Sequence, residues 1–364
     1  MKKFILPVLA LFVLFSVVSC STKFNVAAPY KSITVVYGLL DEADTAHYIR
    51  IQKAFLDQNK NALTMAQNPD SNFFPNINVR VEQIDFINTG NIIDTFHLNK
   101  VDLNLEGYPK DAGTFFNAPN YAYKFKATLD PNYSYRIVVT NPLSGEVDSA
   151  EAPIIDDKNT TNFNIPVLDN QSTNLGGMDF SSTLPYHYFK VTATYNALNN
   201  YSFYGQTTPD SISQLIIRFN WIDSNMVTGA QTAHSYDYDA GYQAVGTGNT
   251  FAYQIDDISL YSAIFTGMGT APANTNRLLE KCNIFFYLST PDYYHYMELS
   301  ETQGVGLTAN EIEPIYTNVK GANALGIYTS RGVRTGQIAI TAETLDSLQV
   351  NSITSGANIT GFAH

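Results

Sequence analysis

Apolar and polar residues alternate with a period of two along much of the chain. That spacing turns one face of a β-strand into a core and the other to water. Ile33 to Leu39 reads as a strand closed by the turn-like Asp41-Glu42-Ala43-Asp44. From His47 to Phe55, Ile49, Ile51 and Phe55 alternate with Tyr48, Arg50 and Gln52. Ile77, Val79 and Val81 alternate with Asn78, Arg80 and Glu82. In the second half, His187, Phe189, Val191, Ala193 and Tyr195 alternate with Tyr188, Lys190, Thr192 and Thr194. Leu215, Ile217, Phe219 and Trp221 do the same against Ile216, Arg218 and Asn220, and Cys282, Ile284 and Phe286 share a face of a strand running to Leu288. Then the pattern changes. Thr290 suits an N-cap, Pro291 a first helical position and Asp292 the positive end of a helix dipole. This predicts a helix with Tyr293, Tyr296, Met297 and Ser300 on one face, and a second short helix is predicted over 344–350. The expected fold class is mainly β.

One local run narrows that class. Leu129-Asp130-Pro131-Asn132-Tyr133-Ser134-Tyr135 leads into the strand Tyr135 to Val139. A Leu-x-Pro-x-x-x-Tyr run before a strand resembles the tyrosine corner of immunoglobulin-like and fibronectin-like β-sandwiches, whose phenol bonds back to nearby backbone. The alternative is a buried tyrosine of any β-fold. Asn141 to Gly145 is a turn into 146–151, and Ala152-Pro153 opens a polar stretch over 156–161. The expected organisation is an immunoglobulin-like sandwich over 31–155 and a second β-rich domain, with one or two short helices, over 156–364.

The first residues follow a different rule. Met1-Lys2-Lys3 precedes an apolar run from Phe4 to Phe15, then Ser16-Val17-Val18-Ser19-Cys20. A basic start, a short apolar core and a small residue before the cut describe a signal peptide over 1–19. The run is shorter than the ~20 residues of a spanning helix. Val17-Val18-Ser19-Cys20 resembles the lipobox of bacterial lipoproteins. The resemblance implies cleavage before Cys20, lipid on its sulfur and a tether over 20–30; the alternative is a plain secreted protein. Cys282 is the other cysteine of the chain. With Cys20 acylated, no intramolecular disulfide forms, and stability rests on core burial.

Charge and composition exclude more than they identify. The net charge is −12, so no basic nucleic-acid footprint is present. The 24 tyrosines and 22 phenylalanines suit half-buried pleated surfaces, or stacking on sugars and protein partners. No nucleophile elbow, His-Glu-x-x-His helix or phosphate-cradling loop appears. Gly304-Val305-Gly306 reads as a helix stop. His234-Ser235-Tyr236-Asp237-Tyr238-Asp239-Ala240-Gly241 offers two carboxylates to a cation, but it lacks the other ligands of a calcium loop and reads first as a solvated loop. The six histidines, His47, His97, His187, His234, His295 and His364, show no metal spacing. Asp256-Asp257 serves hydrolysis only if a partner carboxylate stands ~5–9 Å away in a cleft. No cofactor or metal is expected.

Four features in one order carry a family resemblance: the lipobox, Val35-Val36-Tyr37-Gly38-Leu39, the strand at Tyr135, and the segment from Tyr316 to Tyr328. Together they resemble a family of Bacteroidetes outer-membrane lipoproteins of unassigned function. Its members commonly sit beside SusC-like TonB-dependent receptors and close on Ser-Asn-Ile-x-Gly-Gly-x-Gly-Ile-Phe. Here Thr317 replaces the Ser, Ala322 to Ala324 interrupt the glycine pair and Tyr328 replaces the Phe. The resemblance implies a non-enzymatic accessory subunit anchored in the outer membrane, on its surface or periplasmic face, with a β-barrel partner. A ligand-capturing surface lipoprotein for glycans or peptides is the alternative, and a surface hydrolase a third reading. Asp44-Thr45-Ala46, Asp148-Ser149-Ala150, Asp210-Ser211-Ile212 and Asp346-Ser347-Leu348 resemble the Bacteroidetes O-glycosylation site, which makes Thr45, Ser149, Ser211 and Ser347 candidates.

Overall fold

The computed structural model describes residues 32–54, 61–85, 89–156, 163–164, 168–169, 178, 188–195, 202–203, 206–207, 212–244, 250–302 and 316–363. Strand takes 49% and helix 17%, so the protein is mainly β. The first half carries β1 (Ile33–Leu40), β2 (Ala46–Ala54), α1 (Ala62–Ala66), α2 (Pro69–Asn72), β3 (Asn78–Ile84), β4 (Ile92–His97), β5 (Asn99–Asp102), β6 (Tyr121–Lys126), β7 (Ser134–Thr140) and β8 (Val147–Pro153). Next come β9 (Phe163–Asn164), β10 (Leu168–Asp169), β11 (Tyr188–Tyr195), β12 (Ser202–Phe203) and β13 (Gln206–Thr207). The chain continues through β14 (Ile212–Asn225), β15 (Gln231–Ala244), β16 (Thr250–Asp256), α3 (Asp257–Met268), β17 (Thr275–Leu279) and β18 (Cys282–Ser289). It ends with α4 (Pro291–Thr302), β19 (Ala324–Ile338), α5 (Ala342–Val350) and β20 (Ile359–Phe362).

Two sheets meet over the first core. One is the antiparallel sheet β4-β3-β7-β8, and the other is the β1-β2-β6 part of a ten-stranded sheet. Val36, Ile49, Ile51 and Phe125 from the larger sheet meet Val79, Val81, Ile137 and Ala150 from the smaller. The period-two pattern seats these residues, because alternate side chains leave a strand on opposite faces. Tyr135 is fully buried, and its hydroxyl accepts the Asp130 N–H at 2.9 Å. The bond back to the preceding backbone is therefore made. Glu82 departs from the expected polar face, being only 4% exposed. Arg136 grips it through two bonds of 2.8 and 2.7 Å, and Arg80 donates a third at 2.8 Å. Phe55 lies outside the described residues.

The second core gathers Leu215, Ile217, Phe219 and Trp221 of β14, Cys282, Ile284 and Phe286 of β18, and Leu260 and Ile264 of α3. β17 and β18 run along one edge of β14 as a single path. Trp221 pairs with Leu279 and Arg218 with Asn283, so three residues on one side face two on the other. Asn220 closes this bulge, accepting from Glu280 N–H and donating to the Lys281 carbonyl. Cys282 is a buried free thiol.

β19 joins the two cores. Residues 324–330 pair in parallel with β1, and residues 331–338 pair antiparallel with β18. The large sheet is thus continuous, in the order β20-β17-β14-β18-β19-β1-β2-β6-β5, with β15 on the other edge of β14. Tyr328 of β19 enters the first core. Among the described residues no helix is long and apolar enough to cross a membrane.

Candidate functional site

The most distinctive surface is the outward face of the large sheet beside α4. In β1, Val36, Gly38 and Leu40 are buried, whereas Tyr37 is 39% and Leu39 36% exposed. α4 is anchored over this face by ring contacts. Tyr37 meets Tyr296 edge-on at 6.3 Å, and Tyr242 of β15 meets Tyr294 at 5.7 Å. Burial, then the neighbouring Tyr296, raises the Tyr37 phenol above its ordinary value. Farther across, Arg218 lies 4.8 Å over the Phe285 ring and Arg331 lies 5.5 Å over Tyr287. Half-exposed rings with paired charges offer stacking and cation–π contacts to a partner.

The segment from Tyr316 to Tyr328 holds α4 in place. Asn318 donates to the Tyr328 carbonyl at 2.8 Å and accepts the Tyr328 N–H at 3.0 Å, so its amide imitates a strand neighbour. It also donates to Asp292 at 3.0 Å, and the Tyr316 hydroxyl donates to the same carboxylate. Burial and Asp292 together push the Tyr316 phenol up. Gly321 leaves room for Asp148, since a Cβ there would stand 2.0 Å from the carboxylate. The motif that carries the family resemblance is therefore a clamp joining α4, β1, β8 and β19.

A groove of about 410 Å³ opens where β4 crosses to β5. Phe96 and Phe125, with rings 5.6 Å apart, line it together with His97, Asn99, Lys124 and Lys126. Lys124 is already engaged with Glu106.

The sequence candidates fall in several places. Cys20, Ser211 and Gly304 to Gly306 lie outside the described residues. Thr45 is exposed before β2, and Ser149 is half-buried in β8, where its backbone bridges to Lys320. Ser347 is 5% exposed inside α5. Asp237 and Asp239 lie on β15, not in a loop. Asp237 is held by Arg218 at 2.6 and 2.8 Å, and Asp239 accepts from Gln214 at 2.7 Å, so both carboxylates are committed to cross-strand partners. The hydrogen bond from Arg218 keeps the Asp237 carboxyl below its ordinary value.

Asp256 ends β16 and Asp257 begins α3. Asp256 caps α3 by accepting the Ser259 N–H at 2.9 Å, and Asp257 is its buried first residue. Thr290 precedes α4 as expected, but its hydroxyl meets Thr329 of β19. No group of three or more potential metal ligands converges among the described residues. Sequence reasoning missed the partnership of Tyr37 and Tyr242 with α4. Nothing local marks it, because three distant segments build it. No protein-family model matches the chain, and no curated protein matches it.

Proposed function

We propose that the protein is a non-enzymatic lipoprotein of the outer membrane, attached through Cys20, which serves as an accessory subunit beside a TonB-dependent receptor-type β-barrel. The observation that carries the reading is the pairing of a lipobox with a folded body whose outward sheet face presents half-exposed tyrosines. Large amphipathic rings at modest exposure are the side chains that anchor protein interfaces. Asp237 is taken up by a cross-strand bond and Asp256 by a capping bond, which supports a structural role for both.

The test is recovery of the tagged protein from crosslinked, mildly solubilised outer membranes, with co-purifying proteins identified by mass. A stoichiometric β-barrel is expected, and it should be lost in a Tyr37→Ala/Tyr296→Ala variant that keeps its strand signal. Purification of the native protein alone would sink the reading. Ligand capture is the second reading, favoured by the aromatic and cationic lining of the groove at Phe96 and Lys126. It expects binding of a glycan or peptide that Lys126→Ala and Phe96→Ala weaken.

A further inference from the structure

The tight turn between β7 and β8 displays an apolar side chain on a rigid apex. Asn141 Oδ1 accepts the Leu143 N–H at 3.0 Å, and the Gly145 N–H bonds the Asn141 carbonyl at 2.8 Å. Gly145 takes φ +75°, a backbone that favours glycine, and Pro142 fixes its own φ within the turn. Leu143 is left 80% exposed, and Val147, the first residue of β8, is 56% exposed.

This turn lies where β1 begins. Asn323 donates to Glu146 at 2.7 Å, and the Thr34 N–H bonds the Asn323 carbonyl at 2.8 Å. The Thr34 side chain bonds the buried Asp148. Residues 21–32 separate Cys20 from β1, a stretch that reaches at most about 45 Å when fully extended.

We propose that the β7–β8 turn is the membrane-facing end of the protein, with Leu143 and Val147 resting in the phospholipid interface beside the anchoring lipid. The proposal rests on acylation of Cys20. Apolar side chains gain by leaving water at the headgroup boundary. A tether raises their effective concentration there, so a contact too weak to hold the protein alone becomes occupied.

The opposite end of the same sheet supplies the control. Ile92 pairs with Ile84 and Ile84 with Ser134, whereas Asn78 pairs with Thr140 beside the turn. Ile93 is 54% exposed, and the strand between the two ends is roughly 20 Å long.

The acylated full-length protein, reconstituted in phosphatidylcholine vesicles, is given one new thiol, Leu143→Cys or Ile93→Cys, carrying an environment-sensitive fluorophore. Cys282 is fully buried and the Cys20 sulfur is occupied by lipid, so the dye reports only the introduced site. Emission at 143 is expected to shift to the blue and to be quenched by brominated acyl chains, while emission at 93 stays as in water. Water-like emission at both sites, in a preparation whose intact mass shows the acyl chains, overturns the proposal and leaves the anchor standing. An intact mass without acyl chains overturns the anchor, and the proposal with it.

Discussion

Tyr328 and Tyr135 are both fully buried in the first core, yet their hydroxyls have opposite fates. The Tyr135 hydroxyl accepts the Asp130 N–H. The Tyr328 hydroxyl has no hydrogen-bond partner among the described residues, and burial pushes its phenol well up. An unpaired buried hydroxyl costs about 1–3 kcal/mol, whereas removing one partner of a made bond strands the other. Tyr328→Phe is therefore expected to stabilise by about 1 kcal/mol and Tyr135→Phe to destabilise by about as much, read from denaturant midpoints. A lower midpoint for Tyr328→Phe would overturn this account of its hydroxyl. Glu82 supplies a pH signature. Burial alone would raise its carboxyl, but the bonds and charges of Arg136 and Arg80 outweigh burial and leave it below 4.5, its ordinary value. The stability it contributes is present above the unfolded value and is lost as pH falls through the lower folded value. Glu82→Gln should cost about 2 kcal/mol at neutral pH and flatten the acid limb of the stability curve; an unchanged limb removes this account. The backbone bond of Tyr135 was legible because Leu129 to Tyr135 are consecutive. The setting of Tyr328 was not, because Gly38 clears the space for its ring: a Cβ there would lie 2.5 Å from it.

At the scale of elements, β14 and β18 were legible because buried and less buried residues alternate along most of their length, whereas β3 keeps that alternation only as far as Val81. α3 was missed because Asp256 ends β16 and caps the helix in the same residue, so the period changes without a linker. β15 was read as a loop because Asp237 and Asp239 look solvated, although Arg218 and Gln214 answer them from β14. β1 and β19 pair in parallel across nearly the whole chain length, and no local pattern announces that register. The pairing has one sharp requirement. Gly326 takes φ +112°, and a Cβ there would stand 2.0 Å from the Val36 carbonyl oxygen. Gly326→Ala should cost about 3 kcal/mol or more, since backbone strain and a backbone clash add. Gly90 also has positive φ, +69°, but nothing lies within 4 Å of its Cβ position. Gly90→Ala should cost only about 1 kcal/mol. Equal losses in the two variants, measured by thermal unfolding, would show that the close approach to Val36 is not what Gly326 serves.

For the whole molecule the question is whether two cores make two folding units. β19 argues for one. Its first half pairs with β1 and sends Tyr328 into the first core, and its second half pairs with β18, whose Ile284 and Phe286 fill the second. Losing either core strips one half of β19 of its neighbours and leaves backbone donors and acceptors without partners, at a cost comparable to the hydrogen bonds themselves. The single tryptophan makes this measurable. Trp221 is 4% exposed in the second core, so its fluorescence reports that core and not the first. Ile137 is fully buried in the first core. Ile137→Ala should remove about 3 kcal/mol through lost burial and the cavity left behind. If the strand couples the cores, the Trp221 transition moves to lower denaturant by the same amount as the far-ultraviolet β signal, although no atom near Trp221 has changed. If the cores unfold separately, the β signal acquires an early step while the Trp221 midpoint stays where it was, and β19 is then only a bridge between two independent units.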